Sequence, residues 1–251
     1  MGSLYVGTSG WSYTSWRPGF YPAGLPSEEF LRFYAEHLPA VELNTTGYRL
    51  PSEEQFARWA DQTPPSFRFA PKLQQRSLGS LEIFDERVRR LGGRLGPLRV
   101  AIESPRDEGL LALLLGSTDL NLALDCRHES WRGIDVAPAV HVNEWEAPAS
   151  FHYLRFRDPP YGDNALRALA DRIRPLLARS SDVYAYFRHE DAPTAPAAAR
   201  RLRKLVFTED AESPLNSGRG AGVPPSCPHW ARLQPLSRAR TCGVQHLSYR
   251  S

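Results

Sequence analysis

The sequence predicts an α/β protein of the TIM-type (β/α)8 barrel class. Two observations carry this. Eight short apolar runs recur along the first 206 residues, most of them followed by an amphipathic stretch, which is the signature of a parallel sheet covered by helices. The chain of 251 residues also matches the length at which eight such units close, about 250 residues. An open, doubly wound sheet is the alternative, but no glycine fingerprint supports it. Gly7-Thr8-Ser9-Gly10 is neither G-x-G-x-x-G nor G-x-S-x-G.

The elements follow in order. Leu4-Tyr5-Val6-Gly7-Thr8 reads as a strand ending in a Ser-Gly turn. Ser27 caps a helix with an acidic first turn, whose Phe30, Phe33, Tyr34 and Leu38 recur at helical spacing. Ala40 to Asn44 is the second strand. Pro51-Ser52-Glu53-Glu54 opens the next helix, with Phe56 and Trp59 about one turn apart. Phe67 to Ala70 is a strand, and about Ser80 to Leu91 a helix. The strands Leu98–Ile102 and Leu120–Leu124 flank a short helix around Leu110 to Leu115. Ala139–Val142 and Phe151–Arg155 are strands with little between them. A helix from about Asn164 to Leu177 leads to the strand Val183–Phe187, and the last helix runs from about Ala195 to Val206. Only ~8 residues separate Trp131 from the sixth strand, too few for an ordinary crossover helix. The barrel is therefore expected to be compact or irregular around its fifth and sixth units.

Composition bounds the rest. The chain is 41% hydrophobic and 24% charged, with formal charge +3, and its mean hydropathy is −0.44. These values exclude a disordered acidic chain and a collagen-like repeat. No run approaches the ~18 apolar residues of a membrane helix, and the N-terminal residues lack the pattern of a secretory signal. Lys72 and Lys204 are the only lysines among 31 basic residues, so the positive charge is almost wholly guanidinium. Three sparse cysteines, Cys126, Cys227 and Cys242, favour a reducing, cytoplasmic setting. Residues 207–251 are rich in Pro, Gly and Arg without apolar period and are expected to form a disordered tail. Cys227, His229, Cys242 and His246 in that tail are zinc-like in content but not in spacing, and read as coincidence.

Several blocks in order resemble one family. They are Gly7-Thr8-Ser9-Gly10-Trp11-Ser12-Tyr13 with Trp16 and Phe20-Tyr21-Pro22; Glu42 to Pro51; Trp59 with Thr63-Pro64 and Phe67 to Lys72; Asp125-Cys126-Arg127-His128-Glu129-Ser130-Trp131; Tyr153-Leu154-Arg155; and Tyr184-Ala185-Tyr186-Phe187. Over residues 4 to 205 the chain resembles the DUF72 (YecE-like) family. The resemblance implies a TIM-type barrel distantly like the xylose-isomerase and endonuclease IV group, and implies no particular reaction. The chain departs from the family pattern at Gly47, where an aromatic is usual, and at Asp125, where Glu is usual. It departs again at Phe156-Arg157 and at Arg188-His189.

Polar residues at the carboxyl ends of barrel strands face the active site. Glu42, Lys72 and Asp125 are therefore the expected catalytic groups. Thr8, Ser9, Trp11, Tyr13, Asn44, Tyr48, Arg127, Trp131 and Arg155 are the expected substrate contacts, with Glu103 and Arg188 nearby. Glu42 and Asn44 are two apart on a strand and so expected on one side, as are Asp125 and Arg127. Lys72 beside a carboxylate suits proton transfer, a charge clamp or an imine. Lys72, Arg127 and Arg155 around one mouth favour an anionic ligand. No metal site is expected, because H-E-x-x-H and C-x-x-C are both missing. No cofactor is indicated.

The leading expectation is an enzyme, of hydrolase or isomerase/lyase type, acting on a small anionic or phosphate-containing substrate. A nucleic-acid-binding protein with arginines on phosphates and stacking aromatics is the second reading. A degenerate barrel that has lost activity, motivated by Gly47 and Asp125, is the third. No membrane association is expected, and the sequence does not fix the oligomeric state.

Overall fold

The computed structural model describes residues 1–208. Of the expected tail, residues 207–251, only Phe207 and Thr208 are described, Phe207 as the end of the last helix; Cys227, His229, Cys242 and His246 lie outside the described residues. In chain order the elements are β1 (Leu4–Ser9), α1 (Phe30–His37), β2 (Ala40–Leu43), α2 (Glu53–Asp61), β3 (Arg68–Gln74), α3 (Leu81–Val88), β4 (Leu98–Ile102), α4 (Glu108–Ser117), β5 (Leu122–Cys126), β6 (Val140–His141), β7 (Phe151–Phe156), α5 (Asp163–Ala178), β8 (Asp182–Phe187) and α6 (Thr194–Phe207). All eight strands join one parallel sheet in the order β6-β5-β4-β3-β2-β1-β8-β7. That order is a (β/α)8 barrel closed everywhere except between β6 and β7.

Side-chain alternation divides two cores. Val6, Val41, Phe69, Val100, Leu124, Leu154 and Val183 face outward and pack under the helices. A separate inner cluster holds Ala40, Ala70, Ala123, Phe151, Tyr153, Tyr184 and Tyr186. The inner lining alternates small with large residues. Gly7 lies beside Ala40 and Tyr186, and Ala123 beside Arg99. This leaves room for long polar side chains inside. At Gly7 the strands approach so closely that a Cβ would sit 1.8 Å from the Ala40 carbonyl oxygen. The Tyr34 hydroxyl bridges this point, accepting from the Thr8 N–H at 2.9 Å and donating to the Ala40 carbonyl at 2.9 Å.

Three local expectations are corrected. Ser27 does not cap α1: Ser27–Glu29 forms a 3-10 turn closed by the Phe30 N–H on the Ser27 carbonyl. The true side-chain caps are Ser52 at α2 and Asp107 at α4. β5 lies two residues later than expected, so Asp125 belongs to the strand. β6 shrinks to two residues, because Pro138 brings no N–H to the ladder and Asn143 turns the chain with φ 64°.

The sixth unit lacks a helix, as its spacing implied. The β6–β7 seam is bridged instead by Asn143. Its N–H donates to the Tyr153 carbonyl at 2.9 Å, its Oδ1 accepts from the Arg155 N–H at 2.6 Å, and its Nδ2 donates to the Arg155 carbonyl at 3.3 Å. One residue, through its backbone N–H and its side-chain amide, thus supplies the bonds a neighbouring strand would have made. Among the described residues no helix is long and apolar enough to cross a membrane.

Candidate functional site

Inward-facing positions of β1, β2, β4 and β7 converge on Glu42, which is fully buried. Its Oε1 accepts from Arg99 Nη1 and from the Tyr153 hydroxyl, each at 2.9 Å. Its Oε2 accepts from the Ser9 hydroxyl at 2.9 Å and from Arg155 Nη2 at 3.1 Å. Burial works to raise the Glu42 pKa. The charges of Arg99 and Arg155 and the bonds from Ser9 and Arg155 outweigh it and hold the value at about 2. Glu42 is thus an anion at neutral pH, with both oxygens occupied.

Asp125 completes the cluster. Its Oδ2 lies 3.5 Å from Arg99 Nε and 3.4 Å from Arg155 Nη1. Two carboxylates therefore face two guanidiniums, and these four charges cancel. Burial opposes the Arg99 charge, but Glu42, Tyr153 and Asp125 together hold its pKa above the ordinary value. Burial, reinforced by the Glu42 charge, drives the Tyr153 hydroxyl well above its usual range, so it serves as a donor.

Lys72 stands outside that balance. It sits on β3 next to Arg99 and is only 7% exposed. Among the described residues no carboxylate lies within ion-pair distance of its ammonium, which hovers 5.0 Å above the exposed ring of Tyr48. Burial lowers its pKa first, and Arg99, Arg155 and Arg127 add to this against the pull of Glu42. Its backbone is pinned by Thr46, whose hydroxyl accepts the Lys72 N–H at 2.9 Å and lies 2.8 Å from the Lys72 carbonyl oxygen. Gly47 gives the side chain its path: a Cβ there would meet Lys72 Cδ at 3.0 Å. The lysine opens into a cavity of about 470 Å³ lined also by Arg76, Glu103 and Arg127.

The expected site residues are only partly gathered. Ser9, Glu42, Asp125 and Arg155 meet inside the barrel. Lys72 and Arg127 frame the adjoining cavity, Tyr48 meets the Lys72 ammonium with its ring, and Arg127 pairs with Glu103 at the rim at 3.2 Å. Thr8 does not join this cluster: it faces α1, where its hydroxyl meets that of Tyr34 at 2.9 Å. Trp131 is also displaced. It is buried in the outer core, its indole N–H donating to the Ser104 carbonyl at 3.1 Å. Asn44 does not share a strand face with Glu42, because β2 ends at Leu43 and a 3-10 turn begins. With Trp11, Tyr13, Trp59 and Glu42 itself it lines a groove of about 970 Å³. Trp11 meets Trp59 edge-to-face at 5.2 Å. Tyr13 donates to the Ser9 carbonyl at 2.8 Å and stacks on His189 at 4.5 Å. Burial, then the Glu42 charge, pushes the Tyr13 hydroxyl up to about 12. Arg188 lines an unrelated groove beside Tyr161.

Arg99 and Tyr153 contact Glu42 and Thr46 holds Lys72, three contacts that strand-end reasoning does not anticipate. Arg99 left one signal, a charge in the middle of the apolar run Leu98-Arg99-Val100-Ala101-Ile102. Among the described residues no group of three His, Cys, Asp or Glu side chains could hold a metal ion.

Comparison with known proteins places the chain. A family model described as "Protein of unknown function DUF72" matches residues 5–144. UPF0759 protein YecE of Escherichia coli K12 is 40% identical over 70 residues, 28% of this chain and 23% of that protein. UPF0759 protein YunF of Bacillus subtilis 168 is 30% identical over 76 residues, 30% of this chain and 26% of that protein. These matches span about a quarter of each relative's length. A DUF72 family protein from Thermotoga maritima superposes with TM-score 0.64 at 23% identity, covering 81% of this chain and 99% of that one. Another from Enterococcus faecalis gives 0.63 at 17% identity, covering 82% and 96%. The second pair of likenesses concerns the fold, and it is the same barrel. With its family model matched over more than half its length and the barrel shared, the chain belongs to the DUF72 family.

Proposed function

We propose that the chain is an enzyme that binds a small anionic substrate at the carboxyl-terminal mouth of the barrel and moves a proton with Lys72, in an isomerase or lyase type of reaction. One observation carries the reading. Glu42, Asp125, Arg99 and Arg155 neutralise one another, whereas the Lys72 charge, at the wall of an open cavity, faces no carboxylate within ion-pair distance among the described residues. An uncompensated cation in a partly desolvated pocket attracts an anion and also gives up its proton more readily than a surface lysine. Arg127 and Arg76 at the rim extend the positive field.

Glu42 acts in this reading as a fixed counter-ion, because its oxygens are filled by donors and it carries no proton to deliver. Asp125, 16% exposed against none for Glu42, is the carboxylate that reaches the mouth. The saturated Glu42 speaks against water activation and hence against a hydrolase. Trp131 and Trp16 are buried, which removes two of the stacking surfaces that a nucleic-acid reading needs. Asp125 still pairs with both arginines, which speaks against a degenerate site.

The test is calorimetry with inorganic phosphate, followed by turnover assays on panels of sugar phosphates and oxo-acids. Binding that weakens about tenfold or more in Lys72→Ala, together with lost turnover, is the expected result. Turnover indifferent to Lys72→Ala would overturn the assignment.

A further inference from the structure

We infer that Lys72 is a covalent, imine-forming nucleophile, and that the substrate class is a small carboxylate or phosphate ester bearing an aldehyde or ketone. The inference rests on the anionic-substrate reading above and goes further, from a proton carrier to a carbon-bonded intermediate.

The geometry supports it in three ways. First, Lys72 lines the cavity and its Nζ makes no ion pair or hydrogen bond among the described residues, so the lone pair of the neutral amine is not tied up by a donor. Second, its backbone is held by the Thr46 hydroxyl and its stem passes over Gly47, so the amine is delivered to one place. A fixed nucleophile saves much of the entropy of bringing two reactants together. Third, the groups around it are cations: Arg99 on β4, Arg155 on β7 and Arg127 after β5. Glu42 on β2 is the opposing charge, Glu103 stands at the rim, and the Tyr48 ring lies 5.0 Å from the ammonium. Desolvation and neighbouring cations are the two means by which a lysine amine becomes nucleophilic near neutral pH.

The step balances. The neutral amine adds to the carbonyl carbon, a C–N bond forms, and both amine hydrogens leave with the carbonyl oxygen as water. Protonation of the resulting imine gives an iminium, which withdraws electrons from the adjacent carbon. The substrate's carboxylate or phosphate is drawn by Arg127 and Arg76. No oxidant or metal is required.

The experiment uses the chain's own internal control. Lys204, on the exposed face of α6, is the only other lysine. The full chain is incubated separately with pyruvate, with dihydroxyacetone phosphate and with neutral hydroxyacetone, then reduced with borohydride and digested for mass spectrometry. Reduction should leave the ligand mass, less one oxygen, on the Lys72 peptide, at least ~10-fold above Lys204 and the N-terminal amine, for one of the two anions but not for hydroxyacetone. Comparing pyruvate with dihydroxyacetone phosphate shows which anion the site selects. Lys72→Arg keeps the charge and cannot form an imine, so it should lose the adduct while retaining phosphate binding. Label spread evenly over Lys72, Lys204 and the N-terminus overturns the inference. Phosphate binding without any adduct overturns the imine and leaves the anion site standing. Neither binding nor adduct overturns both.

Discussion

Arg99 Nη1 lies 2.9 Å from Glu42 Oε1, with both side chains sealed inside the barrel. Four residues deliver donors to this one carboxylate from three strands, β1, β4 and β7. Such a pair gains little over apolar residues of equal size, but breaking one side strands the other charge in a medium of low dielectric. Arg99→Met should therefore destabilise the fold by about 3–5 kcal/mol in urea unfolding. A loss below about 1 kcal/mol would show that water reaches Glu42 and that the cluster is not sealed.

The same carboxylate sets an acid limb. Its pKa falls from 4.5 to about 2 on folding, so the unfolded chain binds the extra proton as the pH drops. The stability carried by Glu42 is complete above about pH 4.5 and disappears as the pH falls through about 2, a contribution on the order of 3 kcal/mol. Unfolding free energies at about pH 7 and about pH 3 should differ less in Glu42→Gln than in the native chain. Equal differences in the two proteins would place the acid sensitivity elsewhere.

Lys72 carries the opposite sign. Its folded pKa lies below the ordinary 10.5, so its charge costs stability at neutral pH, and that cost is relieved as the pH rises through the lowered value. Lys72→Met keeps most of the stem, which Gly47 and the Tyr48 ring contact, and discards the charge. The variant should unfold at equal or higher urea concentration while losing phosphate-induced stabilisation. A drop of more than about 1 kcal/mol would mean that the ammonium has a structural partner.

Gly47 makes room for that lysine. Its missing Cβ would meet Lys72 Cδ at 3.0 Å and Gln74 Cγ at 3.3 Å. Both are flexible side chains, so Gly47→Phe should fold but push Lys72 out of its path. Phosphate affinity should fall about tenfold with the melting temperature little changed. Unaltered affinity would show that the cavity is entered from the Arg127 side.

The barrel was legible because its signals are local: apolar runs at strand length, helical spacing between them and a short sixth unit. Part of the candidate cluster was legible by the same logic, since Ser9, Glu42, Lys72, Asp125 and Arg155 lie toward strand ends. The rest depends on depth and on where strands stop. Arg99 and Tyr153 lie within their strands, and although Arg99 interrupts an apolar run, the sequence does not say that its charge turns inward until the register across β3, β4 and β5 is known. Thr8 is polar and near a strand's carboxyl end, yet the parity of β1 turns it toward Tyr34. Asn44 failed for a different reason: alternation holds only while the strand lasts, and β2 ends one residue earlier. Trp131 is a large aromatic that packs under a loop, the commoner fate of such residues.

The seam between β6 and β7 ties the fold to the site. Asn143 is bonded on both sides of Arg155, to its N–H at 2.6 Å and its carbonyl at 3.3 Å, and the Arg155 side chain reaches both Glu42 and Asp125. A loosened seam should therefore loosen the charge cluster. Asn143→Gly accepts the φ of 64° without strain and removes only the side-chain bonds, so it isolates their worth at about 1–3 kcal/mol. Amide hydrogen exchange should accelerate at Arg155 and its β7 neighbours while the β1–β8 ladder stays protected. Phosphate binding should weaken in parallel, because Arg155 no longer holds one position opposite Asp125. Asn143→Asp keeps the acceptor for the Arg155 N–H and should recover part of the protection. If exchange rises uniformly around the barrel, the seam is not an independent unit and Asn143 acts only through global stability. If exchange rises at β7 alone but phosphate affinity holds, then Arg155 is kept in place by Glu42 and Asp125 rather than by its backbone.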